Sequence, residues 1–413
     1  MNSLPRAEVL NTGSELLAGS VLNTLLPYLA EQLFPLGLRI QRQTTVPDGT
    51  AIKDAILEAA SRCEFIFITG GLGPTSDDLT RDLVADLTNR TLQYNETIFR
   101  KIKARFEQRG LRLTDQIARQ AYVPEGAIIL PNDFGTAPGL YVPARGAIPH
   151  LFLFPGPPRE LRPMFETYVL TILRDLVGEH DLDGRIFRTS GLGESYIEEM
   201  VGDALEGIPG LETGYCARLG EVDVRVIGPG ATVAAADRII RSKLAPYIIT
   251  TENKELEEIV VKLLRDKGAT LAIAESCTGG LLASRITNVP GASQAFLEGN
   301  VTYSNEAKTR TLAVPAEMIA RFGAVSDEVA AAMAEGARNR AGSSFALATT
   351  GIAGPDGGTP EKPVGTVFIG LAAEATTTEV QKLFFPTDRL SFKRITSQYA
   401  LDMLRRRCSG TRL

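Results

Sequence analysis

The chain has 413 residues and a mass of 44.5 kDa, more than one hydrophobic core ordinarily supports, so it divides into two or three domains and is not a lone small binding module. Apolar residues make up 44% and charged residues 23%, the usage of a folded globular protein, which excludes a mainly disordered or coiled-coil chain. With 44 basic against 49 acidic residues the net charge is −5, and that balance exerts no general pull toward nucleic acid or anionic lipid.

From Ala7 onward, short apolar strands alternate with amphipathic helices: a strand at AEVLNTG, a helix near 21–36, a strand at RIQRQTTV, a helix over 49–61 and a strand at CEFIFITGG. This alternation predicts βαβ units and a mainly parallel sheet, closing with a helix over about 158–177. The next eighty or so residues change grammar to helix, strand pair and helix, a small α+β module. A second α/β run begins after TTENKELEEIV and ends in a basic helix through Arg405, Arg406 and Arg407. The expected domains are therefore 1–170, 171–250 and 251–413.

Four cysteines, Cys63, Cys216, Cys277 and Cys408, lie far apart with neither zinc spacing nor a disulfide framework, which fits a reducing, cytoplasmic setting. The first residues hold no apolar signal core, and the greasiest stretch, 16–38, is interrupted by Asn23, Pro27, Glu31, Gln32 and Pro35, so neither export nor a membrane span is expected. Only two histidines occur, His150 and His180, so any catalysis must rest on other groups.

In the first block, TGGLGPTSDDLTRD places Gly70, Gly71 and Gly73 directly after a buried strand and opens a helix at 75–78. Backbone amides of such a turn converge on an anion, and the helix N-terminus adds favourable partial charge. A plain strand-to-helix turn capped by Ser76 or Asp77 has the same pattern. Asp77 and Asp78 favour the phosphate reading, because carboxylates beside a phosphate repel it unless a divalent cation lies between them. Glu15, in another strand-end turn, faces the same crevice, whereas Arg159 after the Pro-rich loop 155–158 is a weaker anion ligand.

The middle block carries GIPG at 207–210, the bare G-x-x-G pattern of KH nucleic-acid domains. Pro209 removes an amide donor, no Lys or Arg lies in the loop, and the loop leads into a strand, so the module is read as structural and not as RNA-binding.

In the last block, LAIAESCTGG puts Glu275, Ser276, Cys277 and Thr278 on a strand-to-helix turn before Gly279 and Gly280. Such a bend exposes a nucleophile and aims helix N-terminal amides at a developing oxyanion, although a run of N-caps has the same composition. Ser276 or Cys277 is the candidate nucleophile. No histidine occurs after His180, so a serine would need another base; Lys308, with Tyr303 five residues earlier, is the remaining option. To act, Lys308 must lose its proton well below the ordinary lysine range, which requires burial. TTGIAGPDGGTPEKPVGTV joins two strands by a loop with five glycines and three prolines, long enough to be functional. Asp388 and Arg389 at a helix start, with Arg394 beyond, form a plausible phosphate anchor.

These strings resemble one family throughout. TGSELLAG, TGGLGPTSDDLTRD, FGTAPG and PGPPREL resemble the molybdopterin-binding-like domain of the CinA family; TSGLGES and ARLGEVDVRV resemble its KH-like connecting module. AESCTGG, GNVTYSNEAK, GAVSDEVA and the glycine-rich loop closely resemble its C-terminal nicotinamide mononucleotide (NMN) deamidase domain. The resemblance implies a molybdopterin-binding-like α/β domain, a KH-like α+β domain and a C-terminal α/β deamidase. It implies NMN hydrolysis to nicotinate mononucleotide and ammonia, with Ser276 as nucleophile and Lys308 and Tyr303 moving protons. Glu275, Thr278, Gly279, Gly280, Thr350, Gly351 and Arg389 would then bind substrate, with no cofactor. For the first domain it implies divalent-cation-dependent hydrolysis of ADP-ribose to AMP and ribose 5-phosphate, with phosphate on Gly70, Gly71, Gly73 and Thr75 and the cation on Asp77, Asp78 and Glu15. A homodimer acting on small molecules, with no membrane or nucleic-acid partner, is expected. The alternatives are a molybdopterin-type cofactor-binding protein or a competence-associated DNA-binding protein without turnover.

Overall fold

The computed structural model describes residues 4–178, 180 and 182–411, so the outermost ends of the first and last expected domains lie outside the described residues. The chain forms two compact units, Met1–Leu182 and Asp183–Leu413.

The first unit is built on a six-stranded sheet in the order Arg39–Val46, Arg6–Thr12, Phe65–Thr69, His150–Phe154, Gly139–Val142, Ile128–Leu130. The first four strands are parallel and the last two antiparallel. Phe65–Thr69 is buried along its whole length, as a central strand covered on both faces must be. Its side chains alternate: Ile66 and Ile68 pack with Ile52 and Ile56 of helix Ala51–Ala60, whereas Phe65 and Phe67 pack with Leu29, Leu33 and Phe165 on the opposite face. Successive strands leave Arg6–Thr12 in opposite directions, so the carboxyl ends of Arg6–Thr12 and Phe65–Thr69 flank a topological switch point, where open α/β sheets bind ligands.

Two boundaries differ from the sequence reading. The helix expected from 21 begins at Leu25, and Val21 and Leu22 are exposed. The helix expected at 75–78 begins at Thr80, because the Thr75 amide and hydroxyl bond the Asp78 carboxylate and close a separate turn first. The helix over 158–177 widens to a π-turn at Phe165–Val169, just after Pro163, which lacks an amide donor.

The second unit begins with a four-stranded antiparallel sheet in the order Glu212–Arg218, Glu221–Gly228, Asp183–Ser190, Ile248–Thr250. Helices Glu194–Glu206 and Gly230–Leu244 pack against it through Ile197, Val201, Val233 and Ile240. The G-x-x-G segment follows the first helix and leads into the strand at Glu212, as its composition implied.

A five-stranded sheet follows, in the order Phe296–Val301, Leu271–Glu275, Phe345–Gly351, Thr366–Ala373, Glu379–Phe384; the first three strands are parallel and the others antiparallel. Small residues Ala272, Ala274, Ala346 and Ala348 form one face and let helix Asp327–Ala341 sit close; a Cβ on Gly370 would lie 2.6 Å from the Ala330 carbonyl. Leu271, Ile273 and Leu347 face the other way, onto helices Leu256–Asp266 and Arg389–Ser409. The latter helix also ties the two sheets of this unit together. Arg405 donates to the carbonyls of Ile248 and Pro246, Arg406 to that of Ser190, and Gln398 to Glu221. Among the described residues no helix is long and apolar enough to cross a membrane.

Candidate active sites

In the second unit the strand Leu271–Glu275 ends where the chain must turn into helix Leu281–Thr287. Gly279 (φ +58°) and Gly280 (φ +91°) make that turn in left-handed backbone, which side chains with a Cβ rarely adopt. Ser276 sits at the start of the turn, 9% exposed, its amide bonded to the Thr349 carbonyl of the neighbouring strand. Cys277 turns into the core, where burial pushes its thiol up to about 12, which leaves Ser276 as the candidate nucleophile of the pair.

Lys308 lies on helix Asn305–Leu312, whose N-cap Ser304 accepts from the Ala307 amide. Its side chain is 1% exposed, and its Nζ is 3.1 Å from Ser276 Oγ, 3.0 Å from the Thr302 carbonyl and 3.4 Å from the Tyr303 carbonyl. No carboxylate pairs with it among the described residues, and burial lowers its pKa. Its surroundings suit a neutral amine: two N–H groups meet two carbonyl oxygens, and the lone pair is left for the Ser276 hydroxyl proton.

Tyr303 is 61% exposed, and its hydroxyl oxygen accepts from Arg389 Nη2 at 2.7 Å, while Arg389 Nη1 donates to the Gly354 carbonyl at 2.7 Å. One guanidinium thus fixes Tyr303 to the glycine-rich loop and leaves the phenolic O–H free to donate elsewhere. Asp388, whose carboxylate accepts from the Leu390 and Ser391 amides, starts the helix that carries Arg389. Lys362 anchors the far side of the loop on the carbonyls of Phe322 and Val325.

Several of the expected substrate-binding residues are engaged within the protein itself. Glu275, expected to bind substrate, is 1% exposed, and its carboxylate accepts from the amides of Gly280, Leu282 and Ala283, which completes the helix N-terminus. The Gly280 amide is therefore occupied. The Cys277 and Thr278 amides, which donate to no carbonyl among the described residues, are the turn's free donors. Thr278 and Thr349 share a hydroxyl hydrogen bond at 2.7 Å, and Thr350 donates to the Ala324 carbonyl at 2.7 Å, so both expected threonines act in holding the strand and its neighbours. Gly351 packs so closely that a Cβ would lie 2.8 Å from the Thr366 carbonyl. Arg394 lies apart, lining a cavity with Arg218 and Gln398. Lys393 was not anticipated; its ammonium lies 3.5 Å from where a Gly279 Cβ would be, and four-residue helix spacing from Arg389 is the signal that would have found it.

In the first unit Gly70, Gly71, Gly73, Thr75, Asp77, Asp78 and Glu15 all line one crevice of about 710 Å³ with Arg159. Thr80 locks the turn, donating its hydroxyl to the Gly70 carbonyl and its amide to that of Gly71; a Cβ on Gly71 would lie 2.1 Å from the Thr80 hydroxyl. The Gly70 amide is bonded to the Phe154 carbonyl, and the Thr75 amide to Asp78, so neither can cradle an anion as expected. The amides of Gly71, Leu72 and Gly73 donate to no carbonyl among the described residues. Hydrogen bonding, first from Thr75, lowers the pKa of Asp77, which is a carboxylate at neutral pH. The acidic residues share the crevice without forming a cluster of three metal-binding side chains among the described residues. Two groups here were not anticipated: Asp48, which accepts from the Ser14 amide, and Gln120. The Gln120 amide nitrogen donates to the Leu72 carbonyl while its buried Oε1 has no partner.

Comparison with known proteins places the whole chain. Residues 8–175 match the family described as probable molybdopterin binding domain, 184–247 the damage-inducible protein CinA KH domain, and 253–408 the CinA C-terminal domain. The chain is 46% identical over 396 residues to a CinA-like protein of Akkermansia muciniphila, spanning 96% of each chain. It is 43% identical over 409 residues to a CinA-like protein of Dictyoglomus thermophilum, spanning 97% of this chain and 98% of the relative. Among solved structures, a competence/damage inducible protein from Agrobacterium tumefaciens is 38% identical, covering 38% of this chain and 96% of that one, with a TM-score of 0.35. With three domain matches in family order and full-length relatives, the chain belongs to the CinA family.

Proposed function

We propose that the second unit hydrolyses the carboxamide of nicotinamide mononucleotide, giving nicotinate mononucleotide and ammonia. The observation that carries this reading is the buried, unpaired Lys308 amine 3.1 Å from Ser276 Oγ. In the reaction Ser276 Oγ attacks the carboxamide carbon as its proton passes to Lys308 Nζ. The negative charge that forms on the carbonyl oxygen is met by the Cys277 and Thr278 amides. Collapse breaks the C–N bond; the nitrogen takes a proton from Lys308 or the Tyr303 hydroxyl and leaves as ammonia, with Ser276 acylated. Water then adds to the ester, giving its proton to Lys308, which passes it to Ser276 Oγ as the ester C–O bond breaks, and nicotinate mononucleotide and free Ser276 are released. Arg389 and Lys393 are the cations suited to the substrate phosphate. Incubation with NMN, acid quench and peptide mapping should find the acyl ester of nicotinate mononucleotide on Ser276, and Ser276→Ala should abolish both adduct and ammonia; turnover surviving in that variant would refute the assignment.

For the first unit we propose hydrolysis of ADP-ribose to AMP and ribose 5-phosphate, the pyrophosphate lying on the Gly71 to Gly73 amides. The donor set fits a divalent cation of the magnesium type, which takes one or two carboxylates and completes its shell with phosphate oxygens and water. Asp77 and Glu15 would hold it, and when bound it would neutralise phosphoryl charge. Asp78 maintains the turn through Thr75. Appearance of AMP that depends on magnesium and falls in Asp77→Asn supports this reading; metal-independent or unchanged turnover contradicts it.

A further inference from the structure

We infer that Arg285 is a positioning residue, which holds the helix following Ser276 at one end of a hydrogen-bonded chain anchored on Glu221 of the small α+β module. The inference rests on the proposed deamidase reading and adds what the module does for that site. Helix Leu281–Thr287 leaves the turn at Gly279 and Gly280 directly, so a shift of the helix carries the free Cys277 and Thr278 amides with it. Glu275 fixes the first turn of this helix and Arg285 the last. The Arg285 side chain is 17% exposed and uses both terminal nitrogens. Nη1 donates to Ser397 Oγ at 2.9 Å, and Nη2 to Glu257 Oε2 at 2.6 Å and Gln398 Oε1 at 2.7 Å. Ser397 and Gln398 lie on helix Arg389–Ser409, which also carries Arg389 and Lys393. One guanidinium fork thus sets the helix behind the nucleophile against the helix bearing the cations proposed for the substrate phosphate.

Gln398 passes the constraint on. Its Oε1 is taken by Arg285, so its Nε2 faces the other way and donates to Glu221 Oε1. Gln398 is 5% and Glu221 8% exposed, and the hairpin at 218–221 seats on the glutamine: a Cβ on Gly220 would lie 3.0 Å from Gln398 Cγ. Glu221 is itself held within the module, paired with Ser190 in the sheet and 3.8 Å from Arg188. Leu219, the hairpin's apolar tip, is 43% exposed at the edge of a cavity of about 370 Å³ that also borders Leu281. Here the module therefore meets the site's helix through the polar chain and not through that leucine. Arg285, Gln398 and Glu221 come from three separate elements, and each has one orientation that satisfies the next, which fixes relative position as well as contact.

The test is steady-state ammonia release from NMN by the full chain, at a temperature where melting curves show every variant folded. Glu221→Leu removes the far end of the chain without touching the site. It should lower kcat about tenfold or more and leave KM within about threefold, because the displaced turn acts in the transition state. Glu221→Gln keeps an oxygen for the Gln398 amide and should hold kcat within about twofold of wild type. Gln398→Met should match Glu221→Leu, and the double variant should lose no more than either alone, since both act through one chain. Arg285→Lys keeps the charge but not the fork and should fall by at least the same factor. A purely structural contact would lower the melting temperature and leave kcat unchanged. Folded Glu221→Leu and Gln398→Met with wild-type kcat, losses that multiply in the double variant, or a Glu221→Gln loss equal to that of Glu221→Leu overturns the inference. Loss of the fold in both single variants overturns it as well. Wild-type protein that releases no ammonia refutes the deamidase reading instead.

Discussion

Replacing Lys308 by Met keeps the length and bulk of a buried side chain while removing the one base near Ser276. The structure sets two magnitudes against each other. The carbonyls of Thr302 and Tyr303 lose their donor, at roughly 1–3 kcal/mol for each group left without one. Against this, an apolar chain replaces an amine whose protonated form the site disfavours, a gain of about 1.5–3 kcal/mol. The two losses together, about 2–6 kcal/mol, exceed that gain by ~2 kcal/mol at the middle of the ranges and by about 4.5 kcal/mol at most, less than the roughly 5–15 kcal/mol by which proteins are ordinarily stable, so the variant should fold, while loss of the base should lower kcat about 10²–10⁴-fold. The pH dependence is the sharper readout. Burial lowers the folded-state pKa of Lys308 below its unfolded value, so the unfolded chain binds the extra proton, and wild-type stability rises with pH from the folded pKa up to the ordinary lysine value near 10.4. Any Tm advantage of Lys308→Met should therefore shrink as pH rises through that window. In parallel, wild-type kcat/KM should climb with pH as the neutral amine becomes populated, and the residual activity of the variant should lack that limb. Ammonia release with melting curves across pH checks both; a variant within tenfold of wild type, or one keeping the acid limb, refutes the reasoning.

Glu275→Gln should lower stability by about 2 kcal/mol, since one amide oxygen cannot replace a carboxylate accepting three amides, while KM for NMN stays near wild type; a large KM change would restore Glu275 to the substrate site. Burial raises Glu221 to about 7, above its unfolded value, so its contribution is present below the unfolded pKa and lost as pH rises toward 7; Glu221→Gln should gain ~1–3 kcal/mol at pH 8 and little at pH 5, read by denaturant melts. Under native conditions an alkylating agent should label Cys216 alone, since Cys63, Cys277 and Cys408 are buried with thiols pushed up to about 12, 12 and 11; labelling at Cys277 with loss of turnover would contradict its role as core filler. Arg389→Lys loses the fork that joins Tyr303 to Gly354 and should lower kcat/KM about 10–100-fold, measured by initial rates.

What could be read from the sequence follows from what is local. Strand periodicity marked the strand Leu271–Glu275 and the glycines at 279 and 280 marked its sharp exit, so the position of Ser276 was legible. The absence of histidine left Lys308, and the structure puts its amine against Ser276, but through two carbonyls that no side-chain pattern encodes. Where reading failed, a polar group had a choice of partner. Glu275 and Asp78 look alike to a ligand in sequence, yet each carboxylate turns back to amides a few residues ahead or behind, and only the three-dimensional turn decides that. The same competition moved the helix start from 75 to Thr80. The contact of Arg389 with Tyr303 spans 86 residues, so it had no local signature.

The most direct test of the account is ammonia release from NMN by the full chain in excess chelator, compared with Ser276→Ala. The account predicts undiminished metal-independent turnover in the wild type and none in the variant. A wild type that releases no ammonia, or loses its activity to the chelator, would contradict the buried Ser276 and Lys308 pair as the catalytic centre.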